Sequence, residues 1–150
     1  MACVRLSAHV MNNGIFIIAH APLATALRQC VLHVYPDAGA RITAMDVPAS
    51  SELASTCDRA QDRLQTLGWD GALVVTDVFG ASPCNVARGL PDDVRVRLLA
   101  GVNLPMLLRA VNYLDQPLEV LADKAMAGGV QGVMQVSCSA ALSKDAASHG

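Results

Sequence analysis

A chain of 150 residues carrying a net charge of −2 and a pI near 6.0 suits one domain with a real core and lacks the basic footprint of a nucleic-acid binder. Hydrophobic residues make up 53% but aromatics only 3%, so that core is built from Val, Leu, Ile, Ala and Met. No apolar run approaches the roughly 20 residues of a bilayer span, residues 1–13 make a poor signal peptide, and the five cysteines include no C-x-x-C pair, which points to a reduced, cytosolic chain without a disulfide framework or structural zinc.

Residues 1–13 show no clear periodicity and read as a loose extension ahead of a domain over 14–136. GIFIIA (14–19) is wholly apolar and short, the pattern of a buried strand. A helix follows over about 22–34, with Pro22 in its first turn and Leu23, Leu27, Cys30, Val31 and Val34 on one face. ARITAMDV (40–47) reads as strand two. Residues 50–67 form a helix capped by Ser50 or Ser51, with Leu53, Cys57, Ala60, Leu64 and Leu67 at helical spacing and Gly68 as its stop.

GALVVT (71–76) is strand three, and Asp77 ends it. The loop VFGA (78–81) leads to a helix for which Ser82 is the expected N-cap and Pro83 the first residue. VRVRLLAGV (94–102) is strand four, with Arg95 and Arg97 on a solvated edge. Asn103 and Pro105 repeat the cap signature for a helix over 104–113. Residues 117–128 are helical, Gly128 and Gly129 break that helix, VQGVMQV (130–136) is a last short strand, and 137–150 is a flexible tail.

Strands alternating with helices predict an α/β fold: a three-layer open sheet of four parallel strands, helices on both faces. Such sheets bind ligands beyond the carboxyl ends of their strands, where strand order reverses. In the order 2-1-3-4 that point lies between strands one and three, and His20 and Asp77 line it. Asp77 can hydrogen-bond one imidazole nitrogen of His20, fixing the tautomer and leaving the other as a nucleophile. Gly80 lets the backbone approach closely, and the helix starting at Ser82 aims unpaired amides outward, suited to an anion. A phosphoryl group on His20 is the chemistry this arrangement serves.

GIFIIAHAPLATAL (14–27), LVVTDVFGASPCNVA (73–87), AGVNLPMLLRAVNY (100–113) and KAMAGGVQGV (124–133) together resemble the IIA component of the mannose-type bacterial sugar phosphotransferase system. The resemblance implies that His20 accepts a phosphoryl group from the phosphocarrier HPr and passes it to a IIB partner, assisted by Asp77. It assigns Gly80, Ala81 and Ser82 to the phosphate side. It implies a cytoplasmic homodimer that exchanges an antiparallel strand, here about 130–136, and needs no metal or cofactor and no membrane insertion. Ala21 and Ala81 stand where the family has glycines; both are small.

Plainer roles compete at each position. Asp77 can be a turn cap, Ser82 and Asn103 helix caps, Phe79 a core residue, and Cys84 a buried, inert thiol. His9, His33 and His149 read as solvated. Two other functions remain in view: a IIA module that regulates through its phosphorylation state, and a hydrolase using Ser82 or Cys84 with His20 and Asp77. GASPC is not the G-x-S-x-G elbow, and Pro83 removes an amide an oxyanion hole would use.

Overall fold

The computed structural model describes residues 10–139. Four parallel strands, β1 (Asn13–His20), β2 (Ile42–Val47), β3 (Gly71–Thr76) and β4 (Val96–Ala100), lie in the order β2-β1-β3-β4. Five helices connect and cover them: α1 (Leu23–Val34), α2 (Leu53–Thr66), α3 (Ser82–Arg88), α4 (Leu104–Val111) and α5 (Leu118–Gln131). A short 3-10 segment, Pro36–Arg41, precedes β2.

The apolar runs behave as buried central strands. Ile15 through Ala19 and Leu73 through Val75 are fully buried, and alternate residues enter opposite cores. Ile15, Ile17, Leu73 and Val75 pack under α1, α4 and α5 through Ala24, Val31, Leu107, Ala110 and Leu121. Phe16, Ile18 and Val74 pack under α2 and α3 through Ala60, Val86 and Ala87. Sheet order and three-layer architecture are those the sequence predicts.

Several boundaries differ. β1 includes Asn13, whose buried side chain donates to Gln116 O at 2.6 Å, and β4 starts two residues later than expected. On α1 the buried contacts come from Ala24 and Val31, while Leu23 and Val34 are exposed. Helix α2 starts at Leu53, past Ser50 and Ser51; neither serine caps it, and its N-cap is Glu52. Ser82 is the first residue of α3 rather than its cap, which falls on Ala81 with no side-chain bond. Asn103 does cap α4, its Oδ1 accepting from Met106 N at 2.9 Å.

The largest difference is at the C-terminal end. α5 runs through Gly128 and Gly129 to Gln131, where a break was expected, and the strand expected over 130–136 is not formed: Val130 and Gln131 are helical and 133–137 carry no regular structure. The glycines serve packing. A Cβ on Gly128 would fall 2.7 Å from Arg109 Cβ, and one on Gly132 would fall 2.3 Å from Pro105 Cβ. They let α5 lie hard against α4, an advantage that outweighs their helix cost of about 1 kcal/mol each. Residues 1–9 and 140–150, with most of the expected extension and tail, lie outside the described residues.

Candidate functional site

β1 and β3 are adjacent, and the connections leaving them diverge to opposite faces of the sheet, opening a crevice at their carboxyl ends. His20 is the last residue of β1 and Asp77 the first beyond β3. Asp77 Oδ2 lies 2.6 Å from His20 Nδ1 and also accepts from the His20 amide at 3.0 Å. Its other oxygen accepts from the Val78 amide at 2.9 Å. One carboxylate thus grips both the main chain and the ring of the same histidine. The Asp77 carbonyl in turn accepts from Gly101 N at 2.9 Å, tying the site to the loop after β4.

Burial by itself pushes the pKa of Asp77 up, but the bonds from the His20 amide and ring, the Val78 amide and the field of the His20 ring outweigh it, so the carboxyl sits below its usual 3.8. At neutral pH it is an anion that only accepts. The hydrogen between them therefore rests on Nδ1, and in the neutral ring Nε2 carries the lone pair. The His20 side chain is 49% exposed while that of Asp77 is 9% exposed, so the base is sheltered and the imidazole is open to a visitor.

Beyond Asp77 the chain turns through Val78–Ala81, closed by the Ala81 amide on Val78 O at 3.2 Å. Gly80 holds φ at +85° at the third position of this turn, as a type II turn demands. The amides of Gly80 and Ser82 have no acceptor among the described residues. Ser82 is exposed, and its hydroxyl bonds to neither His20 nor Asp77. Phe79 is 77% exposed, which excludes the core role and leaves an aromatic ring standing on the loop beside the histidine. Cys84 is buried.

One supporting residue escapes the sequence reading. Helix α1 starts right after His20 with Pro22 at its N-cap and no cap of its own. Asp46, near the end of β2, supplies the missing acceptor: Oδ1 takes the Thr25 amide at 3.1 Å and Oδ2 takes Thr25 Oγ1 at 2.5 Å. The Ala21 amide bonds Val47 O at 3.1 Å. His20 is thus anchored on both sides. The signal is slight: an acidic residue near the carboxyl end of a strand, and a helix whose N-cap position, Pro22, has no side chain able to accept an amide.

Among the described residues no three His, Cys, Asp or Glu side chains gather where they could hold a metal ion, and the four described cysteines are free. No helix of the described residues is long and apolar enough to cross a membrane.

A sheet of this order with a histidine and an aspartate at its switch point is a doubly wound α/β architecture with a site in the usual crevice, and comparison with known proteins bears on what it is. The EIIA-man family, described as PTS system fructose IIA component, matches residues 14–126. The chain belongs to that family. Among solved structures, the mannose/sorbose-specific IIA subunit of the phosphotransferase system from Enterococcus faecalis is 22% identical, with a TM-score of 0.74 over 85% of this chain and 97% of that one. The phosphotransferase system component EIIA from Streptococcus agalactiae is 23% identical, with a TM-score of 0.68 over 81% and 95%. The PTS IIA protein associated with the fucose utilization operon of Streptococcus pneumoniae is 21% identical, at 0.68 over 84% and 94%. These likenesses are of fold. No curated protein matches the chain.

Proposed function

We propose that this chain is a cytoplasmic phosphohistidine relay, in which His20 Nε2 takes a phosphoryl group from phospho-HPr and passes it to a IIB partner of a sugar phosphotransferase system. The observation that carries this reading is the 2.6 Å contact between His20 Nδ1 and Asp77 Oδ2 on a half-exposed ring. With Nδ1 protonated and held, Nε2 attacks phosphorus. A new N–P bond forms as the donor's N–P bond breaks, and the donor leaves as neutral imidazole. The ring of phosphorylated His20 is cationic, and the Asp77 anion stabilises it. Unpartnered amides at Gly80 and Ser82, with Ala81 between them and the Ser82 hydroxyl, take the phosphoryl oxygens. No proton leaves Nδ1, so the transfer is reversible and the group moves on to IIB by the same route.

The reading extends to a homodimer that exchanges residues about 130–136. Val130, Val133, Met134 and Val136 are all highly exposed in the single chain, an apolar run that a second copy would cover. The hydrolase reading loses support because Ser82 has no hydrogen bond to His20. A regulatory module would use the same His20 chemistry and differs only in what receives the signal.

Incubation with labelled phosphoenolpyruvate, enzyme I and HPr tests the proposal. The wild type should acquire an acid-labile label that His20→Ala lacks, and addition of IIB should discharge it. A folded wild type that stays unlabelled would overturn it.

A further inference from the structure

Two arginines stand on the open edge of β2 without a carboxylate against either. Arg28, on α1, donates from Nε to Ile42 O at 2.8 Å and from Nη2 to Gly39 O at 3.1 Å. Arg63, on α2, donates from Nη1 to Ala44 O at 3.0 Å and to Thr43 Oγ1 at 3.4 Å. Neither belongs to an ion pair among the described residues, and Arg28 Nη1 and Arg63 Nη2 have no acceptor there. Ile42 and Ala44 are alternate residues of one strand, so the two side chains, arriving from helices on opposite faces of the sheet, reach carbonyls on the same open edge.

Between them lies a cleft of about 270 Å³ lined by Thr25, Arg28, Gln29, Thr43, Ala44 and Arg63. Its walls hold two cations, two hydroxyls and one carboxamide, and no acid. The carboxylate in contact with a wall residue is Asp46, and both its oxygens are taken by Thr25. Arg59, one turn before Arg63 on α2, is exposed, as are Asp58 and Asp62 on the same helix, and none of the three lines the cleft. This cluster runs against a chain whose net charge is −2.

Covering the carbonyls of an edge strand is one use of such arginines. That use occupies part of each five-donor fork and leaves Arg28 Nη1 and Arg63 Nη2 without an acceptor among the described residues. The carbonyl bonds also fix both side chains, so a ligand binding there would order little that is not already ordered. A planar fork with free donors fits tetrahedral oxyanions better than a point charge does.

We propose that this cleft is an anion site separate from His20 and that it binds the phosphate monoester of a small molecule. Its volume admits a phosphate and a few carbons. The phosphate lies between the two guanidiniums, and the Thr43 hydroxyl and the Gln29 amide face the rest, the Thr25 hydroxyl being held by Asp46.

Glycerol phosphate is the probe, followed by amide chemical shifts of the full chain. Saturable shifts at Thr25, Thr43 and Ala44 are expected, undiminished in His20→Ala. Arg63→Gln should weaken binding about tenfold, the worth of one charge-assisted contact, with a wild-type-like amide spectrum showing that the variant is folded. Arg28→Lys, which keeps the charge but not the fork, should also weaken it. Shifts confined to Gly80 and Ser82, an equal response to sulfate, or no saturation would each overturn the proposal. Capture by phosphatidate vesicles without a glycerol phosphate response would overturn the small-molecule assignment.

Discussion

Asp77 accepts three hydrogen bonds, two of them from His20, and this accounts for its lowered pKa and supports the role proposed for it. Replacing it with Asn keeps the size and removes the charge that favours a cationic phosphoimidazole. Asp77→Asn is expected to take up label from phospho-HPr about a hundredfold more slowly, by rapid-quench labelling. The same residue links stability to pH. Its folded value lies below the ordinary 3.8, so its contribution is present above that value and is lost as pH falls through the folded one. Melting temperatures of wild type and Asp77→Asn should differ at pH 6 and converge in strong acid; a gap that widened on acidification would refute this. Both residues could be read from sequence because each is polar and ends an apolar run, His20 as the last residue of β1 and Asp77 as the first beyond β3. Asp46 was less legible because it lies within its strand, and its partner Thr25 is distant in sequence and carries no motif.

At the scale of elements, the sequence reads well where burial dictates pattern and poorly where contact between elements does. β3 matches residue for residue because an apolar run bounded by Gly71 and Asp77 has one interpretation. α5 does not, because glycine marks a break in isolation and a close approach in a packed pair. Gly128→Ala should therefore destabilise the fold by about 1–3 kcal/mol in urea titration, since overpacking against Arg109 exceeds the gain in helix propensity. A stabilised variant would mean that the helices part freely. Asp46→Ala removes the acceptor at the start of α1 and should cost about 1 kcal/mol, with amide exchange rising at Thr25 more than in α4.

For the whole molecule, the exposed apolar residues beyond α5 set the expectation. Val133→Glu with Val136→Glu should convert a dimer to a monomer by light scattering, with His20 still labelled by phospho-HPr. A wild type that is monomeric at high concentration would remove the exchanged strand from the account. The flanks of the sheet differ as well. On the β2 side, guanidinium groups already occupy the carbonyls of Ile42 and Ala44. A newcomer would have to evict them to hydrogen-bond there. Endless stacking of copies needs two sticky margins on every unit, whereas the covered β2 side leaves at most one, so edge-to-edge growth into fibres has no route.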